Sequence, residues 1–458
     1  MSGPIRRLGV VGAGTMGAGI AQLGVSAGIE TILHDPIPEA LERGAAQIGA
    51  GLDKGAARGR WTEAEADAAR ERLSTGSALE DLSDCELVIE AAPELPDLKR
   101  ELFGRLAKVC PDAVLATNTS SIPVSSIATA AAKPENVVGM HFFNPPPVMR
   151  LLEVIAADQT GERALALARA TGEAMGKHVI VAQDGPGFLV NRCGRPFYTE
   201  ALRLLQERVA DAAQIDRICR LAGGFRMGPF ELMDLVGSDV GLAVAESFME
   251  LSYGEPRWRP NPIQARMVAA GRLGRKTGRG YYDYSVEPYR PEDPKRPDAA
   301  SGPLPAPEGL IDCSARSLAA QRPDGVGFVR LLEAPLVELT RGAGTSDAAA
   351  EVAEAHFRSL GLLTEWVDDA PGLVIGRIVA QLVNEAHFAL GEGVGSEADI
   401  DAALEIGLNH PHGPLAWGEA IGLPAVLATI DGLWQERREE RYRAAPLLRR
   451  RVASLQRC

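Results

Sequence analysis

Short apolar runs alternate with longer segments of helical spacing through the first part of the chain. Leu8 to Val11 is an apolar run bounded by glycines and reads as a buried strand. Thr15 to Ala27, rich in Ala and Gly, predicts a closely packed helix, and Thr31 to His34 a second strand ending at Asp35. Residues 37–73 have helical composition with a glycine break at 55–59. Leu87–Ile89 and Val114–Ala116 predict further strands, each followed by polar turn residues, and Val137–Phe143 and Val179–Val181 complete the set. Such alternation predicts an α/β domain, a parallel doubly wound sheet, over 1–183. From Pro186 the pattern changes: residues 188–284 carry helical periodicity with few strand signals, predicting a helical domain over 184–284. Seven prolines within 285–309 mark a semi-rigid linker or disordered spacer, assigned to 285–310.

Beyond the linker the chain repeats itself. Asp184-Gly-Pro-Gly-Phe-Leu-Val-Asn-Arg192 recurs as Asp369-Ala-Pro-Gly-Leu-Val-Ile-Gly-Arg377, Ile215-Asp216 as Ile400-Asp401, Gly228-Pro229 as Gly413-Pro414, and Gly237 as Gly422. Every pair is 185 positions apart, as 369 is from 184. A second helical copy is therefore expected over 369–458. Leu151-Leu-Glu153 matches Leu336-Val-Glu338, so 311–368 is expected to be a remnant of the end of the α/β domain. At this offset His141 falls on Val326 and Asn191 on Gly376.

Length and composition narrow the partners. A chain of 458 residues predicts two to four domains, and 46% apolar with 24% charged residues is globular composition. A net charge of −13 argues against a nucleic acid partner, which clustered Lys and Arg would hold. The six cysteines (Cys85, Cys110, Cys193, Cys219, Cys313, Cys458) show no C-x-x-C spacing and fit reduced thiols. With a strand-like run beginning by Ile5 there is no room for a signal peptide, and no apolar stretch is long enough to span a membrane. A cytoplasmic protein is the expectation. No metal-ligand cluster, nucleophile elbow or P-loop spacing occurs in the sequence.

Gly12-Ala-Gly14-Thr15-Met16-Gly17 is a G-x-G-x-x-G between a predicted strand and helix. The first glycine permits the tight turn, the second a close approach of pyrophosphate, the third close helix–strand packing. The helix N-terminus then offers free N–H groups to the phosphates. Asp35 follows about 20 residues on at a strand end, where a carboxylate binds both ribose hydroxyls and repels a 2′-phosphate. The motif thus predicts a Rossmann-type site for NAD rather than NADP; the competing reading of Asp35 is a helix N-cap before Pro36.

At Asn118-Thr-Ser120-Ser and His141-Phe-Phe-Asn144-Pro, the sequence resembles the 3-hydroxyacyl-CoA dehydrogenase family. The likeness extends over nearly the whole chain. It takes in Val88-Ile-Glu90-Ala-Ala, Val148-Met-Arg-Leu-Leu-Glu153-Val, Pro186-Gly-Phe-Leu-Val-Asn191-Arg and Gly271-Arg-Leu-Gly-Arg-Lys-Thr-Gly-Arg-Gly280-Tyr. It implies NAD-dependent oxidation of a 3-hydroxyacyl-CoA on a Rossmann domain followed by two homologous all-α domains. The two-copy layout resembles the branch of the family in phenylacetate catabolism, and implies a short-chain or dicarboxylic substrate such as 3-hydroxybutyryl-CoA or 3-hydroxyadipyl-CoA.

Oxidising a secondary alcohol requires a base for the O–H proton, a task that suits histidine. His141 ends a strand-like run, and Glu153 follows on the next apolar segment. A carboxylate on the second ring nitrogen would fix the tautomer and stabilise the imidazolium. The resemblance gives these two residues those roles. It places Ser120 and Asn191 on the substrate hydroxyl and thioester carbonyl, and has Asn144 help hold the His–Glu dyad. Glu94 and Lys99 would line the nicotinamide ribose, although from the sequence alone both read as solvated helix charges. Lys54 and Arg58, expected in the break after the first long helix, would meet the coenzyme A phosphates. The competing functions are a sugar-acid dehydrogenase on the same scaffold and a non-catalytic NAD-binding structural protein. The chain is expected to be a monomer with an internal pseudo-dimer, or a homo-oligomer.

Overall fold

The computed structural model describes residues 5–455, which leaves Cys458 outside. It resolves into two units. The first carries an eight-stranded sheet of β1 (Arg7–Val11), β2 (Glu30–His34), β3 (Leu73–Gly76), β4 (Leu87–Glu90), β5 (Val114–Thr117), β6 (Val137–Phe142), β7 (Leu151–Ala156) and β8 (His178–Gln183). Their order is β3-β2-β1-β4-β5-β6-β7-β8. Helices α1 (Thr15–Ser26), α2 (Pro38–Ala57), α3 (Glu63–Glu71), α4 (Pro96–Val109), α5 (Val124–Ala128) and α6 (Glu162–Ala174) connect the strands. The central strands are buried along their whole length, as near-continuous apolar runs require when both faces are covered.

The sheet is not wholly parallel. β6 and β7 pair antiparallel, because Phe143 to Arg150 is shorter than the dozen or so residues a parallel crossover needs. The register sets His141 directly opposite Glu153. The glycine break falls at the end of its expected window, where Arg58 caps α2 and Gly59 has φ +67°. α2 runs on through Gly55 to Ala57, and Gly55 is where the Trp61 ring packs, so close that an added Cβ would lie 2.0 Å from it.

The same unit includes Val394–Gly407, from the middle of the expected second helical domain. Its helix, Glu397–Gly407, packs on β7 and β8, and Gln183 N–H donates to the Val394 carbonyl at 2.8 Å. The second copy is therefore not one contiguous body over 369–458.

The second unit comprises Val190–Gly393 and the chain from Leu408. It begins with α7 (Val190–Gln206), α8 (Ala212–Leu221), α9 (Pro229–Val236), α10 (Ser238–Leu251) and α11 (Pro262–Ala269). The proline-rich stretch then runs extended but is pinned. Arg220 Nη2 pairs with Asp293 at 2.5 Å, Arg296 Nε donates to the Gly361 carbonyl at 2.7 Å, and Ala300 N–H to that of Ser359 at 2.9 Å.

A four-stranded sheet follows, β12-β11-β10-β9, made of β9 (Leu310–Asp312), β10 (Val326–Val329), β11 (Leu336–Arg341) and β12 (Leu363–Trp366), with α12 (Asp347–Ser359) before β12. Its pairing of parallel, antiparallel and parallel strands repeats that of β5 to β8. The helices α13 (Ile375–Gly391), α14 (Glu397–Gly407, of the first unit), α15 (Pro414–Ile421), α16 (Leu423–Arg437) and α17 (Pro446–Leu455) complete the chain.

The constant offset fails in one place. Glu338 faces Val329 across β10–β11, nine positions away, whereas Glu153 faces His141 twelve away. The second hairpin is shorter by three residues, so the counterpart of His141 is Val329 and not Val326. A valine stands there in either case, and it offers no base.

His410 lies in the second unit, edge-on to Phe225 at 5.0 Å, and neither ring nitrogen has a hydrogen-bond partner among the described residues. Burial pushes its pKa down from 6.5 to about 3. The unfolded chain therefore binds a proton that the folded chain refuses, and stability falls as pH drops below 6.5. His410→Phe is expected to flatten the acid limb of the unfolding free energy against pH, by up to about 1.4 kcal/mol per pH unit. An unchanged acid limb would remove His410 as its cause.

Candidate active site

The turn after β1 is built as the glycine spacing requires. Gly12 has φ +100°, and a Cβ on Gly17 would lie 1.7 Å from the Gly12 carbonyl oxygen. At Gly14 an added Cβ would meet nothing within 4 Å, because this backbone faces open space. Gly14 is also the N-cap of α1, so the free N–H groups of that helix point the same way. A largely apolar groove of about 730 Å³ runs past Gly12, Gly14, Thr15, Met16 and Asp35 to Arg105. The cradle fits a dinucleotide. Asp35 is not the N-cap of α2, which is Ile37. Its carboxylate accepts from Ala13 N–H at 2.9 Å and Ile37 N–H at 3.0 Å, tying the end of β2 to the glycine turn.

His141 and Glu153 meet because their strands are neighbours in register. Nδ1 of His141 lies 2.8 Å from Glu153 Oε2, and Nε2 lies 3.0 Å from Ser120 Oγ. Glu153 is fully buried and His141 nearly so, while Ser120 is exposed. Oε1 of Glu153 accepts Leu189 N–H at 3.0 Å. A carboxylate only accepts, so Nδ1 carries the ring proton and Nε2 presents its lone pair towards Ser120. The Phe143 and Phe188 rings pack against the imidazole at 4.6 and 5.8 Å.

Glu94 and Lys99 are not solvated helix charges. Glu94 precedes α4, and its Oε1 accepts from Thr119 Oγ1 (2.6 Å), Ser120 N–H (2.9 Å), Ser121 N–H (3.1 Å) and Ser121 Oγ (3.0 Å). Burial pushes the Glu94 carboxyl up, but these hydrogen bonds and the Lys99 charge outweigh it, and it titrates below its ordinary value. Lys99 is buried, and its Nζ donates to Glu90 Oε1 at 2.5 Å and to the Ala92 carbonyl at 3.3 Å.

Asn144 does not hold the dyad. It is exposed, and both ring nitrogens of His141 are taken by Ser120 and Glu153. Asn191 lies in the first turn of α7, within the second unit. Lys54 is in the last turn of α2 and Arg58 is its C-cap, both exposed and one turn apart.

With this geometry in place, comparison with known proteins decides the family. Residues 7–185 match the 3-hydroxyacyl-CoA dehydrogenase NAD binding domain, and 187–284 and 372–456 each match the C-terminal domain. The chain belongs to the 3-hydroxyacyl-CoA dehydrogenase family. NAD is its cofactor. A 3-hydroxyadipyl-CoA dehydrogenase of Escherichia coli is 37% identical over 98% of both chains. An E. coli crystal structure described as a 3-hydroxybutyryl-CoA dehydrogenase superposes with a TM-score of 0.93, at 37% identity over 98% of each chain. A 3-hydroxybutyryl-CoA dehydrogenase of Mycobacterium tuberculosis is 40% identical over 62% of this chain and 100% of its own.

For this dehydrogenase, sequence reasoning missed Glu90, Thr117 and Leu189. Thr117 Oγ1 donates to Glu90 Oε2 at 2.7 Å, from the position facing it across β4–β5. The available signal was a carboxylate closing the otherwise apolar run Leu87-Val-Ile-Glu90, since a buried charge demands a partner.

Proposed function

We propose that the chain oxidises the 3-hydroxyl of (S)-3-hydroxyacyl-CoA to the 3-oxo compound with His141 as general base. The observation that carries this reading is the Ser120–His141–Glu153 line, whose exposed end is a base with its tautomer fixed. NAD, when bound, accepts the hydride from C3. His141 Nε2 takes the hydroxyl proton as that hydride leaves, and Glu153 stabilises the imidazolium through Nδ1–H. Ser120 Oγ, already on Nε2, orients the substrate hydroxyl. Asn191 is assigned to the thioester carbonyl, Asn144 to the cofactor, and Lys54 and Arg58 to the coenzyme A phosphates. A protein that only bound the dinucleotide would have no use for a base–carboxylate pair.

The full-length likeness to the E. coli 3-hydroxyadipyl-CoA dehydrogenase supports a dicarboxylic substrate beside short acyl chains. The test is NADH formation from 3-hydroxybutyryl-CoA and 3-hydroxyadipyl-CoA. A kcat/KM for the adipyl thioester far below that for the butyryl one would reduce the reading to a generic short-chain enzyme. No turnover of either would refute it. A cytoplasmic location belongs to the same reading. It is supported by five buried cysteines without a disulfide and, among the described residues, no helix long and apolar enough to cross a membrane.

Asp35 should set the cofactor preference. Asp35→Ser is expected to narrow the NAD-to-NADP ratio of kcat/KM by roughly tenfold, because repulsion of the 2′-phosphate is removed. Equal efficiency with both cofactors in the unmutated enzyme would contradict this.

A further inference from the structure

Buried arginines in the second unit are paired with carboxylates, with one exception. Arg192, Arg257, Arg377 and Arg441 each lie 2.7–3.9 Å from a glutamate. Arg195 is just as buried, at 8% exposure, yet among the described residues no carboxylate lies within ion-pair distance of it and its Nε has no hydrogen-bond partner. Its guanidinium lies over the Phe248 ring at 4.8 Å and the Tyr198 ring at 6.0 Å. Burial pushes its pKa down to about 10, so it stays charged at neutral pH. Stacking occupies the faces of the group and leaves its N–H edge for a planar, bidentate acceptor.

The repeat separates this arginine from the scaffold. At the 185-residue offset the charges that join α7 to α13 are kept, Arg192 as Arg377, Glu200 as Glu385 and Glu207 as Glu392. Asn191 and Arg195 are not kept, and Gly376 and Ala380 stand in their places. The two residues lost together lie one turn apart on one face of α7, about 6 Å along its axis. Helical side chains lean towards the N-terminus, so the long Arg195 side chain leans back towards the turn that carries Asn191.

We propose that Arg195 is a specificity-determining residue that binds the terminal carboxylate of a dicarboxylic acyl-CoA. The inference rests on the reading above, in which Asn191 holds the thioester carbonyl. From that carbonyl an adipyl chain places its far carboxylate about one helical turn away, which is the separation of Asn191 and Arg195. The carboxylate supplies the partner that the protein withholds, through a charge-assisted fork to the guanidinium edge. An acyl chain of equal length that ends in a methyl group leaves the cation desolvated and unpaired. The same residue therefore selects against it.

The test uses the full chain and two substrates of equal length, 3-hydroxyadipyl-CoA and 3-hydroxyhexanoyl-CoA. Arg195→Met is expected to lower the adipyl-to-hexanoyl ratio of kcat/KM by about 10²-fold, chiefly through KM, with the hexanoyl value rising. Arg195→Lys keeps the charge without the fork and should fall between. Ala380 stands at this position in the second copy, and an unpaired buried charge is removed, so the Tm of Arg195→Met should not fall. Arg195→Lys carries the test alone if Arg195→Met does not fold. Equal losses with both substrates, or an unchanged ratio, would overturn the proposal. Binding decides it apart from turnover: the parent should bind adipyl-CoA more tightly than hexanoyl-CoA, and Arg195→Met should abolish that preference. No preference in the parent would also overturn it. A parent enzyme that oxidises neither substrate would instead strike the function proposed above, while the two Kd values would still decide the role of Arg195.

Discussion

His141→Gln is expected to lower kcat by about 10²–10⁴-fold while leaving NADH affinity nearly unchanged. Glutamine keeps hydrogen-bonding capacity towards Ser120 and Glu153, but its amide cannot accept a proton near neutral pH. The glycine turn and Asp35 contribute no atoms to the dyad, so the dinucleotide groove should be intact. Glu153→Gln should fall in the same direction. Its amide could present an N–H to Nδ1, favouring the tautomer with the proton on Nε2, the wrong nitrogen for a base. The decisive measurement pairs pre-steady-state hydride transfer with NADH fluorescence titration. Near-normal turnover of His141→Gln would remove it as the base, whatever the fold suggests.

The parts of the fold legible in the sequence were those whose residues face one environment. β4, β5 and β6 are buried throughout, β1 is buried from Leu8 on, and their cores read as apolar runs. β3, Leu-Ser-Thr-Gly, is an edge strand with two exposed residues and carries no such signal. Of the two glycines at 55–59, Gly59 does end α2 with φ +67°, whereas Gly55 serves packing against Trp61, a role indistinguishable in sequence from breaking a helix. Lys99 was misjudged for a related reason. Charge predicts exposure only until a partner is found, and Glu90 lies on a different element. The pairing of His141 with Glu153 came from the resemblance, while the register that makes the contact depends on the antiparallel turn of β7 and has no signal in the residues themselves. No sequence pattern showed that Val394–Gly407 joins the first unit, because the repeat reports ancestry and not which neighbour a helix packs against.

The repeat nevertheless predicts what the second copy does. Arg192 donates to Glu385 at 2.9 Å and to Glu392 at 2.7 Å, while Arg377 donates to Glu200 at 2.8 Å and to Glu207 at 2.8 Å. Each member of the second set lies 185 positions from its image in the first, so α7 and α13 pack through a self-complementary pattern, residue i on j and j on i. That is the signature of an isologous dimer interface, here within one chain. Arg192, Glu200, Arg377 and Glu385 are all nearly or fully buried. Ending the chain at Tyr284 would strand Arg192 and Glu200 without α13, at a cost of about 3–5 kcal/mol for each broken pair. It would also strip the helix Glu397–Gly407 from β8. Two truncated chains can repair the first loss, since Arg192 of one can meet Glu200 of the other. The fused copy supplies that partner at the high effective concentration of a tether. The truncated protein is therefore expected to dimerise or aggregate, as light scattering after size exclusion would show, and Arg192→Ala should disrupt the dimer. A truncated chain that stays monomeric, soluble and fully active would show that the second copy is not a built-in partner.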